Sequence, residues 1–122
     1  MKTERTKQYM FLVRGKACGG SELSPEQMQA KMTEVFAWID DLTKKGIFSA
    51  AQPLTPEGKL VSGKNGSMVT DGIAAESKEA VGGFFIVNVE TMDEAVRIAQ
   101  SSPMFNYGGQ LEVRQIAELK HD

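Results

Sequence analysis

Two stretches of the chain are apolar at every position: Tyr9–Val13, and Phe84–Val87 at the start of Phe84–Val89. Short continuous apolar runs beside glycines read as buried strands. Between them, Ser24-Pro25-Glu26-Gln27 has the chemistry of a helix start. Ser24 serves as cap, Pro25 suits the first helical position, and Gln27 completes a capping box. Met28, Met32, Val35, Phe36, Ile39 and Leu42 then recur at three- and four-residue spacing and predict one apolar stripe. Asp40–Lys44 and Asp41–Lys45 are i,i+4 pairs in the favourable order, and Gly46 suits a left-handed C-terminal cap.

The rest of the chain continues this alternation. Residues 47–51 form a short strand closed by Pro53. Asn65-Gly66, flanked by Lys59–Gly63 and Ser67–Thr70, is a hairpin signal. Residues 71–83, rich in charge and glycine, read as a loop. Thr91-Met92-Asp93-Glu94 is a capping box for a short helix ending near Gln100, with Ala95, Val96 and Ala99 on its inner side. Ser102-Pro103 stops that helix, and Gly108-Gly109 leads into a last strand on which Leu111 and Val113 alternate with polar residues. The order is strand, helix, strand, inserted hairpin, strand, helix, strand. It predicts an α+β class chain: a ferredoxin-like βαββαβ sandwich with a hairpin insertion.

Successive side chains on a strand face opposite ways. Two strands that are apolar throughout therefore need cover on both sheet faces, and two helices supply only one. A face-to-face homodimer is the simplest cover for the other, since two-fold symmetry dominates among oligomers. The alternative cover is the hairpin of residues 59–70, folded back over the sheet.

A length of 122 residues fits one domain, residues 1–122. A net charge of −2 argues against direct nucleic-acid binding. No run of apolar residues is long enough to span a membrane, and the polar start of the chain does not read as a signal peptide. A single cysteine, Cys18, cannot form a disulfide within the chain, which points to the cytoplasm. No His/Cys cluster has metal spacing, so neither a metal nor a cofactor is expected.

Several strings occur together and in order: Val69-Thr70-Asp71-Gly72, Glu76-Ser77-Lys78-Glu79, and Gly82-Gly83-Phe84-Phe85. The Asp93-Glu94-Ala95 helix, Pro103, Gly108-Gly109 and Glu112-Val113-Arg114 follow them, and Tyr9-Met10 opens the first strand. This arrangement, from about Tyr9 to Ile116, resembles the DGPF branch of the YCII-related family. Ile73-Ala74 stands where that branch has Pro-Phe. The resemblance implies a dimeric α+β barrel built from two ferredoxin-like sheets. It also implies an association with alternative sigma factors of RNA polymerase, beside which relatives are often encoded.

Some relatives use a His–Asp pair for acid–base work, a role that suits histidine near neutral pH. The single histidine here, His121, is the penultimate residue, and a chain end is a poor place for a positioned base. Asp71, Glu76, Lys78 and Glu79 form the densest charged cluster. Asp71 and Glu76 suit ligand-orienting or acid–base carboxylates and Lys78 an anion contact, while turn formation and charge balance account for them equally simply. Arg14 and Arg114 either pair with these carboxylates or are solvated. Tyr107 and Trp38 either wall a pocket or pack in a core or interface. Cys18, in a glycine-rich loop ahead of a helix, has no histidine to activate it and reads as an incidental thiol.

Two functions compete. One is a non-catalytic or regulatory module that binds a small molecule or a protein. The other is a small-molecule isomerase, lyase or hydrolase that uses Asp71 or Glu76 without a His–Asp dyad. The missing histidine favours the first. The candidate ligand contacts are Asp71, Glu76, Lys78, Arg14, Arg114 and Tyr107.

Overall fold

A computed structural model describes residues 7–14, 23–55, 57–71 and 81–118. Along the chain these form β1 (Lys7–Arg14), α1 (Pro25–Lys44), β2 (Phe48–Pro53), β3 (Lys59–Ser62), β4 (Met68–Asp71), β5 (Val81–Val89), α2 (Met92–Gln100) and β6 (Gln110–Gln115). A 3-10 turn at Lys64–Gly66 joins β3 to β4, and a second, Pro103–Tyr107, precedes β6. β2, β5, β1 and β6 lie in that order in one sheet, with every neighbouring pair antiparallel. With the helices after its first and third strands, this is the ferredoxin-like arrangement. Among the described residues, β3 and β4 pair only with each other.

The helix ends follow from their sequence. Ser24 accepts from the Gln27 backbone N–H, and the Gln27 side chain accepts from the Ser24 N–H at 2.9 Å, closing the capping box. Gly46, at φ 76°, ends α1. Its N–H reaches the Thr43 carbonyl and that of Ile47 reaches Leu42, a Schellman closure. Thr91 caps α2 through the Glu94 N–H. The Glu94 carboxylate accepts from Glu90, one residue before the cap, so only half of the expected capping box forms.

The core lies on one face of the sheet. Tyr9, Phe11 and Val13 of β1 and Phe85, Val87 and Val89 of β5 are buried against α1 and α2. The pairs Phe11↔Phe85 and Tyr9↔Val87 form its centre. Ala95 and Ala99 are the buried residues of α2, and their size lets that helix sit close to the sheet. Val96, expected beside them, is 36% exposed.

The apolar stripe of α1 differs from the predicted one. Lys31, Val35, Trp38 and Leu42 are buried, while Phe36 is 61% and Met32 36% exposed. The helix is turned roughly 60° about its axis from the orientation that the Met/Phe spacing predicts. Trp38 accounts for the turn. Its ring stacks on Phe11 with centroids 6.5 Å apart and meets Phe85 edge-on at 5.1 Å. Its indole N–H donates to the Ser101 Oγ at 2.9 Å. An inward Trp38 buries more surface than an inward Phe36, and with its N–H satisfied it does so without a polar penalty.

The hairpin does not cover the second sheet face. All of β3 and β4 is exposed, and Leu60, Val61, Met68 and Val69 each show more than half of their surface. Asn65 and Gly66 take the left-handed conformation that such a dipeptide favours, although the connection is longer than two residues because Ser62↔Met68 is the closing pair. On the open face Met10, Leu12, Phe84 and Ile86 form a half-buried apolar stripe across β1 and β5. β5 begins at Val81, so the predicted loop of residues 71–83 is shorter at both ends; residues 72–80 lie outside the described residues.

Gly83 is a point of close approach between β5 and β2. Its φ is 157°, and a Cβ there would lie 2.8 Å from the Gln52 carbonyl oxygen and 3.2 Å from the Pro53 Cα, both backbone atoms. Gly83→Ala is therefore expected to lower the urea midpoint by an amount equivalent to roughly 2 kcal/mol with an unchanged slope. A midpoint equal to that of the native chain would show that β2 can retreat at no cost.

Candidate functional site

The predicted site residues that are described, Asp71, Arg14, Arg114 and Tyr107, do not form one cluster. Arg14 and Arg114 do meet, on the open sheet face, around a carboxylate that the sequence reading left aside. The Arg14 Nε donates to the Glu112 Oε1 at 2.5 Å, and an Arg114 guanidinium nitrogen lies 3.6 Å from the Glu112 Oε2. β1–β6 pairing brings them together: Leu12↔Glu112 and Met10↔Arg114 are opposed, and Arg14 follows one position along the same face. Of the cluster carboxylates named as alternative partners for these arginines, Asp71 is the one among the described residues. It stands instead at the end of β4, highly exposed, with the Lys59 Nζ 2.8 Å away across the hairpin.

Tyr107 ends the 3-10 turn before β6 and is half-buried. Desolvation, and then the Glu34 carboxylate beside it, raise its phenol above the ordinary value of 10.0. The neutral phenol is thus favoured in the folded chain. Its contribution to stability is complete below the unfolded pKa and is lost as the pH rises through the folded one. Followed by ultraviolet phenolate absorbance, the signal that Tyr107→Phe removes should titrate above the free phenol, and Glu34→Gln should move it back down. Titration at the free-phenol value in the native chain would refute this assignment. Glu76, Lys78 and Glu79, together with Cys18, His121 and Ile73-Ala74, lie outside the described residues.

A cleft of about 320 Å³ lies elsewhere, a volume at the lower end of ligand pockets. It opens where the first half of α1 passes over one end of the sheet. Val13 at the end of β1, Gly82–Phe85 at the start of β5 and Ala51–Leu54 on and after β2 form its floor, and Met104 closes the core side. The close approach at Gly83 brings β2 against β5 here, and the Leu54 N–H donates to the Gly82 carbonyl at 2.9 Å, extending the pairing past Pro53. Met32, Phe36 and Leu54, all exposed large apolar residues, stand at the cleft. They are the side chains that the rotation of α1 and the end of β2 leave outside the core. Lys31 and Gln52 are the polar residues of the lining, and Lys31 is only 7% exposed.

Of the predicted contact residues that are described, Asp71, Arg14, Arg114 and Tyr107, none lines this cleft. One sequence signal pointed to it. Lys31 lies four, seven and eleven residues before Val35, Trp38 and Leu42, and so occupies an inward position of the helix that is eventually buried. The signal was hidden because the Met/Phe spacing suggested a different inward face.

Among the described residues, no group of three His, Cys, Asp or Glu side chains is placed to hold a metal ion. No described helix is long and apolar enough to cross a membrane.

The helix-covered antiparallel sheet with strand order β2-β5-β1-β6 defines a ferredoxin-like α+β protein. The YCII-related domain model matches residues 8–120, and the chain belongs to the YCII-related family. Comparison with curated proteins gives no match.

Proposed function

We propose that this chain is a non-catalytic module that binds a small molecule in the cleft beneath α1 and works as a homodimer in the cytoplasm. The apolar cleft carries the reading: a preformed concavity lined by α1, β2 and β5, with exposed Met32, Phe36 and Leu54 beside it. Exposed large side chains grouped at a concavity signify a binding site more than the same residues scattered singly. Against catalysis, no described carboxylate lines the cleft, and Asp71 stands apart on the hairpin with Lys59. The string from Val69 to Phe85 supports placing the chain in the DGPF branch.

The homodimer follows from the open sheet face. Met10, Leu12, Phe84 and Ile86 form an apolar strip flanked by the Arg14–Glu112–Arg114 cluster, and the helices cover the opposite face. A second copy laid on this strip buries it, and Phe84 is the residue of the strip that also lines the cleft, so the interface borders the cleft while its α1 wall stays on the helix side.

Titration with Nile red, an uncharged probe whose fluorescence rises in apolar surroundings, tests the cleft. Binding is expected, and Ala51→Phe, which places a ring in the floor, should weaken it at least tenfold. Equal binding by the variant would place the probe on another surface and remove the support for a cleft function.

A further inference from the structure

Ten large apolar side chains are exposed among the described residues, and seven of them fall in two groups. Four are on the hairpin: Leu60 and Val61 of β3, Met68 and Val69 of β4. Three, Met32, Phe36 and Leu54, stand at the cleft. Single exposed apolar side chains are ordinary, whereas groups of them mark contact surfaces. Within one chain the two groups do not meet. Every residue from Lys59 to Asp71 is exposed, and none of them lines the cleft.

The hairpin's register shows what cover it needs. Val61 and Val69 are directly opposed and share a face with Lys59 and Asp71, while Leu60 and Met68 lie on the other face with Ser62 and Thr70. Both faces are partly apolar, and a two-stranded ribbon alone in water is only marginally stable. Such a ribbon suits a site with two walls. The cleft mouth has them: Met32 and Phe36 on α1, and Leu54 just after β2. Area points the same way. Met10, Leu12, Phe84 and Ile86 on the open sheet face are already half-buried, and they fall well short of the roughly 800 Å² that each partner of a stable interface covers. A dimer on that face needs further contact nearby, and the strip runs into the cleft at Phe84.

We infer that in the homodimer the hairpin of each subunit lies across the cleft mouth of the other, so that the binding site is completed by a second copy of this chain. This rests on the homodimer and the cleft of the proposed function. Two-fold symmetry makes the contact reciprocal, and both hairpins and both clefts are covered at once. The two exposed apolar groups leave water together, which favours the closed arrangement. The buried end of the cleft, at Val13, Val35 and Phe85, is left for the small molecule.

The test places one cysteine on the hairpin and one at the cleft mouth of different chains. Val61→Cys and Phe36→Cys are made separately, each with Cys18→Ser so that it carries a single thiol. Mixed and mildly oxidised, the two chains are expected to give a disulfide-linked species of about twice 13.3 kDa on a non-reducing gel, and neither chain should give one alone. Val61→Ser combined with Val69→Ser should fold normally, because both residues lie outside the core, and should weaken Nile red by about fivefold through loss of the closing arm. No link from the mixture, a link from Val61→Cys alone that exceeds it, or unchanged Nile red affinity in the serine variant would each overturn the proposal. If the link is absent while Ala51→Phe still weakens Nile red, the arm is refuted and the cleft reading stands. Nile red binding that Ala51→Phe leaves unchanged removes the cleft as a site, and the proposal falls with it.

Discussion

Replacing Trp38 with alanine is expected to destabilise the chain by about 3–5 kcal/mol, the range for removing a large aromatic side chain from a packed core. Trp38 joins three elements at one place. Its ring lies on Phe11 of β1 and against Phe85 of β5, and its N–H donates to Ser101 at the end of α2. Its removal leaves a void beneath α1 and cuts the link between the helices. The loss is a large share of the roughly 5–15 kcal/mol that holds a domain folded, so the variant should be partly unfolded at modest denaturant concentrations. Trp38→Phe separates the two contributions. It keeps most of the ring and loses the hydrogen bond, at a cost of about 1 kcal/mol for the bond itself. The Ser101 hydroxyl still donates to the Ile98 carbonyl, so no buried donor is stranded. Because Trp38 is the sole tryptophan, unfolding of these variants must be followed by circular dichroism rather than tryptophan fluorescence. A loss below about 1.5 kcal/mol for Trp38→Ala, short of what a buried aromatic contributes, would mean that α1 is not held at this point.

Leu12→Glu is expected to split the proposed homodimer while leaving each subunit folded. Leu12 lies near the middle of the open face, opposite Phe84 on β5 and Glu112 on β6. It is half-buried within one chain, so a carboxylate there stays in contact with water as long as the subunit is alone. Laying a second sheet over it strips that water away beside Glu112, and an unpaired charge in an apolar interface costs several kcal/mol. The dissociation constant should rise at least a hundredfold. In analytical ultracentrifugation the native chain should sediment at about twice 13.3 kDa and the variant at 13.3 kDa. Ile86→Lys, across the same strip, should act alike. Native-sized dimers of both variants would move the interface away from this face. The exposed hairpin, with Leu60, Val61, Met68 and Val69, would then be the next surface to substitute.

These two variants lie on opposite sides of one sheet, Trp38 on the helix that covers it and Leu12 on its open face, and they show how far local pattern reaches. The strand–helix–strand order, the caps at Ser24 and Gly46 and the Asn65-Gly66 turn were all legible, because each depends on a few neighbouring residues. The i,i+4 pairs Asp40–Lys44 and Asp41–Lys45 form as read, at 3.2 and 3.1 Å. The candidate site was less legible. Asp71 and Arg14 are far apart in sequence, and whether they meet depends on strand register. That register gives Arg14 to Glu112 and Asp71 to Lys59.

The sequence by itself determined that two all-apolar strands must lie centrally and that a sheet so built carries an apolar stripe on each face. That follows from the alternation of side chains along a strand and needs no partner to be known. Only the tertiary structure decided which side of α1 faces inward. Met28, Phe36 and Ile39 offer one apolar face and Val35, Trp38 and Leu42 another, and helical period alone does not choose between overlapping faces. The choice fell to the side chain with the most surface to bury and a hydrogen-bond partner within reach: Trp38, with Ser101 supplied by the end of α2. Turning the helix that way carried Lys31 inward and left Phe36 outside, at the cleft. The cleft is therefore a product of long-range packing, and its residues gather from α1, β1, β2 and β5 only once the sheet has formed.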